Sequence, residues 1–378
     1  MNKKTLITLI VVAALFLLGI AAGVLFLYKG NTGRGGSPSA GKVNVDVQFP
    51  LLKAVPSDAV AILSMGNIKD GTALLTDGTK AFTALVSDGR KDSCATFVGK
   101  LAADVESGRL AALRQEPMAL SLHYSGSLVP LLVLGMPAAA SDSTDMVLRV
   151  RNLAGECGLT SAFRVSDGAG MLLVSASETI VNSSLRHQDG GLSILSNKDF
   201  AACLAGADGR DVLFLSNANS GKLLPGFFQR AVSRRSDFFK TVASWTVMSL
   251  ASVNDKSFSA KGFLSSGRAS DTFAGVFASA KMETPGFARA IPSGTVFALS
   301  IPMADQADYL EAYRKYLDAC SKLGPNESAV SRLGRSAGRT PMTGPRRSPS
   351  RKWPRHSGVR KTRPWKPCSC VLAARIIP

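Results

Sequence analysis

The stretch TLITLIVVAALFLLGIAAGVLFLY (residues 5–28) runs 24 residues without a charge, and no other feature of the chain limits its fold so strongly. A bilayer-spanning helix needs about 20 apolar residues. The apolar core of a cleaved secretory signal is only about 7–15 residues long and ends at a small-residue cleavage site. An uncleaved single-pass anchor over residues 1–29 is therefore the favoured reading, and a cleaved signal is its alternative. Lys3, Lys4 and the amino terminus slightly outweigh Lys29 and Arg34, so the positive-inside tendency sets the N-terminus in the cytoplasm and the body outside it. The partner this implies is the lipid bilayer. Residues 30–46 follow, beginning GNTGRGGSPSAGK, a Gly/Ser-rich stretch without apolar periodicity that reads as a flexible tether.

The formal net charge of +18 invites a nucleic-acid reading until it is located. Residues 328–378 hold 13 Lys or Arg and no acid, which leaves 32 basic against 27 acidic residues before them. A polyanion binder carries its basic surface on the folded domain as well, because affinity grows with the number of phosphates neutralised. Nucleic acid is thus not the partner expected for the body, and an envelope protein or polymer is the partner that the topology suggests. The six cysteines are widely spread, with no Cys-x-x-Cys pair. They read as buried thiols or, in an oxidising compartment, as disulfides whose connectivity is not legible.

Between the tether and residue 327, short strand-like runs alternate with amphipathic helical ones. MALSLHY and LVPLLVL flank Ser-Gly-Ser, with Pro130 suggesting an edge or bulged strand. SAFRV/MLLVS and WTVMSLASV/SFSAKGFL form two more hairpin pairs. Helical spacing marks residues 142–154, 177–186 (after a Ser175/Glu178 capping box) and 305–323, the last stopped by Gly324-Pro325. Hairpins interleaved with helices predict an α+β fold with helices laid on mainly antiparallel sheets. KAVPSDAVAILSM (residues 53–65) and RAIPSGTVFALSI (residues 289–301) align without a gap at an offset of 236, with six identities. The alternative to a true repeat is chance likeness between two strands. Taken as a repeat, the pair divides the body into one unit over residues 47–284 and the start of a second over 285–327, which the tail interrupts.

Val55-Pro56-Ser57-Asp58 with its following strand, then residues 171–175, 178–186, the Asp199–Phe200 step within LSILSNKDF and the strand 212–215, resemble a family of membrane-anchored bacterial proteins known only as a domain of unknown function. The likeness covers roughly residues 50–267 and the start of a second unit. It implies the anchor and the repeated unit, but no activity and no functional residues.

Chemistry leaves few marks. His123, His187 and His356 are far apart, with no His-Glu-x-x-His, and no metal ligands or cofactor are expected. His123 lies in an alternating strand and reads as structural or surface; His187 ends a helix, where a cation interacts favourably with the carbonyl dipoles. No Gly-x-Ser-x-Gly elbow occurs. Ser39 and Lys42 match Ser-x-x-Lys only within the tether, and Asn219-Ser220-Gly221-Lys222 lacks the rest of a phosphate loop and reads as a loop. No catalytic residue is assigned. In PGFFQRAVSRRSDFFKTVA the phenylalanines share a helical face with Val232 and Val242, which is the pattern of packing on a sheet; Arg230, Arg234 and Lys240 lie largely elsewhere and are candidates for contact with an anionic surface or partner.

The basic tail, residues 328–378, begins where acids vanish, where the repeat breaks off and where apolar periodicity ends, which together suggest a shifted reading frame. Codons begun one base early convert Met342-Thr343 to Asp and Trp353-Pro354 to Ala, so the other frame can restore acids. A genuine tail of this composition would be disordered and able to bind polyanions in a salt-sensitive way. The leading expectation is an envelope protein with a non-catalytic binding or scaffolding body. The alternatives are an extracytoplasmic enzyme without a local motif and polyanion binding through the tail.

Overall fold

The computed structural model describes residues 45–78, 90–166, 168–223, 237–254, 257–266, 272–277, 297–299, 306–336 and 372–374. The apolar stretch 5–28, residues 30–44 of the tether, Arg230, Arg234 and His356 lie outside them; Val45 and Asp46, expected to close the flexible tether, instead open a helical turn over Val45–Gln48. Among the described residues no helix is long and apolar enough to cross a membrane. The chain divides into two compact units, one ending at Gly267 and the other holding Arg268–Pro378.

The first unit is built on one eight-stranded sheet. Its strands are β1 (Ala61–Met65), β2 (Met118–Tyr124), β3 (Leu128–Met136), β4 (Thr160–Ser166), β5 (Ala169–Ser175), β6 (Val212–Ser216), β7 (Trp245–Asn254) and β8 (Ser257–Ser265). They lie in the order β4-β5-β3-β2-β1-β6-β7-β8, every neighbouring pair antiparallel. The three hairpins read from turn residues are present as β2–β3, β4–β5 and β7–β8. The other connections carry helices, and those helices cover both faces.

One face lies under α1 (Ile68–Ala73), α2 (Arg90–Glu106) and α3 (Asp145–Glu156), around Phe97, Leu101, Leu132, Leu134, Val150 and Leu172. The opposite face lies under a 3-10 turn (Pro50–Ala54), α4 (Glu178–Gly190) and α5 (Lys198–Leu204). Its core joins Leu131, Val133 and Leu173 to Ile180 and Val181, and sets Phe200 against Phe214 and Trp245 with ring centroids 5.1 and 4.9 Å apart. A strand covered on both faces carries apolar side chains at successive positions, which is why LVPLLVLGM is buried throughout.

Pro130 stands in that interior strand, not at the edge or bulge its ring suggests. The Leu122 carbonyl accepts from the amide of Val60, the residue just before β1, so Leu122 and its register partner Pro130 form a non-hydrogen-bonded pair. The Pro130 nitrogen therefore faces β5, one residue past the last pair Leu131↔Ser175, and no ladder bond is lost. Its carbonyl instead accepts from the Ser175 hydroxyl at 2.7 Å. That contact also changes the expected capping box: Ser175 ends β5, and Ser177 is the N-cap of α4 without a side-chain cap bond.

In the second unit, α7 (Gln306–Ala319) packs Tyr316 and Leu317 on Val276, with Tyr309 and Tyr313 stacked 5.9 Å apart and Phe273 edge-on to Phe277. The helix ends earlier than Gly324-Pro325 suggests. Ser321 turns left-handed (φ 56°), and α8 (Leu323–Ser336) begins with Pro325 in its first turn, where a missing N–H costs no bond. Residues 328–336, expected at the start of the tail, are therefore helical here. A short antiparallel pair joins β9 (Phe297–Leu299) to β10 (Leu372–Ala374).

Candidate functional site

The polar chemistry of the sheet collects where β1 begins and β2 ends. Ser121 and His123 are two residues apart on β2, so their side chains leave the same face, the one shared with Ile62 and Leu131 across the register. Val55-Pro56-Ser57-Asp58 closes over this end as a turn: Ala59 donates to the Pro56 carbonyl, Ile194 donates to the Val55 carbonyl, and Pro56 bridges Ser193. The turn delivers the Asp58 carboxylate to the imidazole.

The result is a three-group chain. Asp58 Oδ1 lies 2.9 Å from His123 Nδ1, and His123 Nε2 lies 2.9 Å from Ser121 Oγ. A carboxylate accepts only, so Nδ1 carries hydrogen and donates to Asp58, and in the neutral ring Nε2 accepts the Ser121 hydroxyl proton. That imidazole hydrogen bond, ahead of the opposing cost of burial, holds the Asp58 carboxyl below its usual 3.8; His187, in the last turn of α4, adds to the lowering when charged. His187 Nδ1 is itself shielded from water without a hydrogen-bond partner.

Asp, His and Ser in this order form the relay with which many hydrolases activate a serine. Access decides what it can do here. Ser121 is 0% exposed and His123 2%, while only the Asp58 side chain reaches solvent, at 63%. A serine that accepts an acyl group needs an open approach for the substrate to its oxygen and donors aimed at the developing oxyanion. Ser121 instead sits inside the covered sheet, and as built the chain fastens the turn to β2.

Of the residues singled out from sequence, His123 is buried with both ring nitrogens engaged, which decides between its structural and surface readings. Lys240 is exposed on a short helix, α6 (Asp237–Val242), whose Val242 is buried; Arg230 and Arg234 lie outside the described residues. Asn219-Ser220-Gly221-Lys222 is not a plain loop, because Ser220–Leu223 forms one helical turn. Asp58 and Ser121 carried no chemical signal in the sequence. The Ser-x-His step in an alternating strand could have paired two of the three, but the carboxylate comes from 65 residues away. No group of three or more His, Cys, Asp or Glu able to hold a metal occurs among the described residues.

Compared with known proteins, the chain matches no family model, no curated protein and no solved structure.

Proposed function

We propose that the chain is a single-pass envelope protein whose extracytoplasmic body binds or scaffolds and does not catalyse. The observation that carries the non-catalytic half is the complete burial of Ser121, the nucleophile of the Asp-His-Ser set found among the described residues. The uncharged run of residues 5–28 supports the anchor, and the near-balanced charge before residue 328 supports a partner other than nucleic acid. The two-unit organisation rests on a recurrence of order. β9 falls at the offset of 236 from Ala61–Leu63 of β1, and each strand is followed by a helix, α7 and α1 respectively. The family resemblance remains part of the same proposal.

The Asp58-His123-Ser121 geometry favours one second reading, an extracytoplasmic serine hydrolase that opens to expose Ser121. A fluorophosphonate probe on the full chain in detergent separates the two: no adduct at Ser121 is expected. Labelling at Ser121 that disappears in His123→Ala would establish the hydrolase instead. Alkaline carbonate extraction tests the anchor, which predicts retention in the membrane pellet. Release of full-length protein into the supernatant would remove it.

A further inference from the structure

The four described cysteines distribute unevenly over the core. All four are free thiols in the structure: Cys203 belongs to the cluster around Phe200 and Trp245, and Cys320 to the aromatic cluster of the second unit, whereas Cys94 and Cys157 share the α2–α3 side of the sheet. Cys94 lies in the first half of α2, wholly buried, with the Ala176 backbone amide facing its sulfur. Ala176 directly follows Ser175, whose register partner is Thr160, three residues beyond Cys157. Cys157 caps α3, and Gly158 (φ 69°) then turns the chain into β4. The Lys100–Glu156 ion pair, at 2.8 Å, links the same two helices one residue before Cys157. These contacts place Cys157 against the same core cluster as Cys94, with Cys203 and Cys320 in other clusters.

We propose that Cys94 and Cys157 form an intramolecular disulfide when the protein folds in an oxidising compartment, fastening α2 to the C-terminus of α3. Its occurrence in the cell rests on the extracytoplasmic reading above; its geometry does not. The oxidant is an external disulfide, either a small molecule or the disulfide form of a dithiol oxidase. The half-buried Cys157 thiolate attacks one of its sulfurs, making a mixed disulfide and expelling one thiolate. Cys94, its proton lost to solvent base, then attacks Cys157 Sγ and expels the second thiolate. Two protein thiols are oxidised, and the external disulfide is reduced to two thiols. Burial pushes the Cys94 thiol up to about 11, with the neighbouring Cys157 sulfur acting in the same direction. The second step therefore belongs to folding, before α2 seats and removes the attacking thiolate.

The test is made on the full chain in detergent, unfolded with urea and reductant, refolded at mildly alkaline pH in reduced and oxidised glutathione, alkylated and digested. A peptide pair joined through Cys94 and Cys157 is expected, with Cys203 and Cys320 alkylated. A Cys157→Ser variant, altered at a half-exposed site, should lose the joined pair and unfold at the denaturant midpoint of the reduced parent. Refolded protein with Cys94 and Cys157 both alkylated, or joined to other cysteines, would overturn the pairing. If the refolded protein closes the link but protein taken from acid-quenched cells carries both thiols free, the extracytoplasmic location fails and the pairing stands.

Discussion

His123 holds together groups that the chain keeps far apart. Its ring fills the face of β2 between Ser121 and the Asp58 turn, and removing it does two things at once. A His123→Ala change opens a cavity beside Val129 and leaves the buried Ser121 hydroxyl without its acceptor. Together these are expected to cost about 2–4 kcal/mol, measured by urea unfolding. Asp58→Asn should cost less, about 1 kcal/mol or below, because that carboxylate is mostly solvated and screened. The ranking is the check: an Asp58 variant as damaging as the His123 variant would deny the imidazole its central place. Acid has a defined sign here. The Asp58 carboxyl is depressed in the folded chain, so its contribution is complete above the usual 3.8 and lost as pH falls through the lower folded value. The Asp58→Asn protein should therefore show a smaller loss of stability below about pH 4 than the parent.

At the scale of elements, one buried carboxylate ties α2 to α3. Asp104 of α2, 5% exposed, is bound by Arg109 at 3.2 Å and by Arg149 of α3 at 2.7 Å. Both arginines keep water on part of their surface, so truncating Asp104 strands no buried charge. Asp104→Ala is expected to cost about 1–3 kcal/mol through lost charge-assisted bonds. Lys100→Ala on the same helix pair should leave the unfolding midpoint unchanged within error, since its partner Glu156 is exposed as well. The β7–β8 hairpin depends on a glycine in a different way. A Cβ on Gly262 would run into the Val247 carbonyl oxygen, a backbone atom of the ladder that no rotamer change can move. Gly262→Ala should push the two strands apart and destabilise the protein by about 1–3 kcal/mol, with amide exchange accelerating along β8 before it does along β2.

The whole molecule combines a near-neutral body with a strongly basic end. Any retention on heparin is expected to disappear when residues 328–378 are deleted, and to fall steeply with salt before deletion. Retention that survives the deletion would move the polyanion site onto the body and revive Arg230, Arg234 and Lys240 as candidates. The gene offers an independent check on the same residues: a codon frame shifted by one base that stays open and acidic supports a coding interruption, and early stops in that frame exclude it.

Local patterns in the chain were enough to specify the α+β class, the three hairpins and helices α3, α4 and α7, because turn residues and apolar spacing act over a few residues at a time. They misplaced Pro130, which looks like an edge residue until the register shows its nitrogen facing past the end of β5. They also ran α7 on to Gly324-Pro325, because periodicity does not register a single left-handed turn at Ser321. Which strands would adjoin was beyond them: β1 lies between β2 and β6 although long helical segments separate all three in sequence. The Asp58-His123-Ser121 chain and the Cys94/Cys157 neighbourhood depend on that placement. Hydrogen bonds and thiol contacts act over a few ångströms, and only the paired sheet brings residues so distant along the chain within that reach.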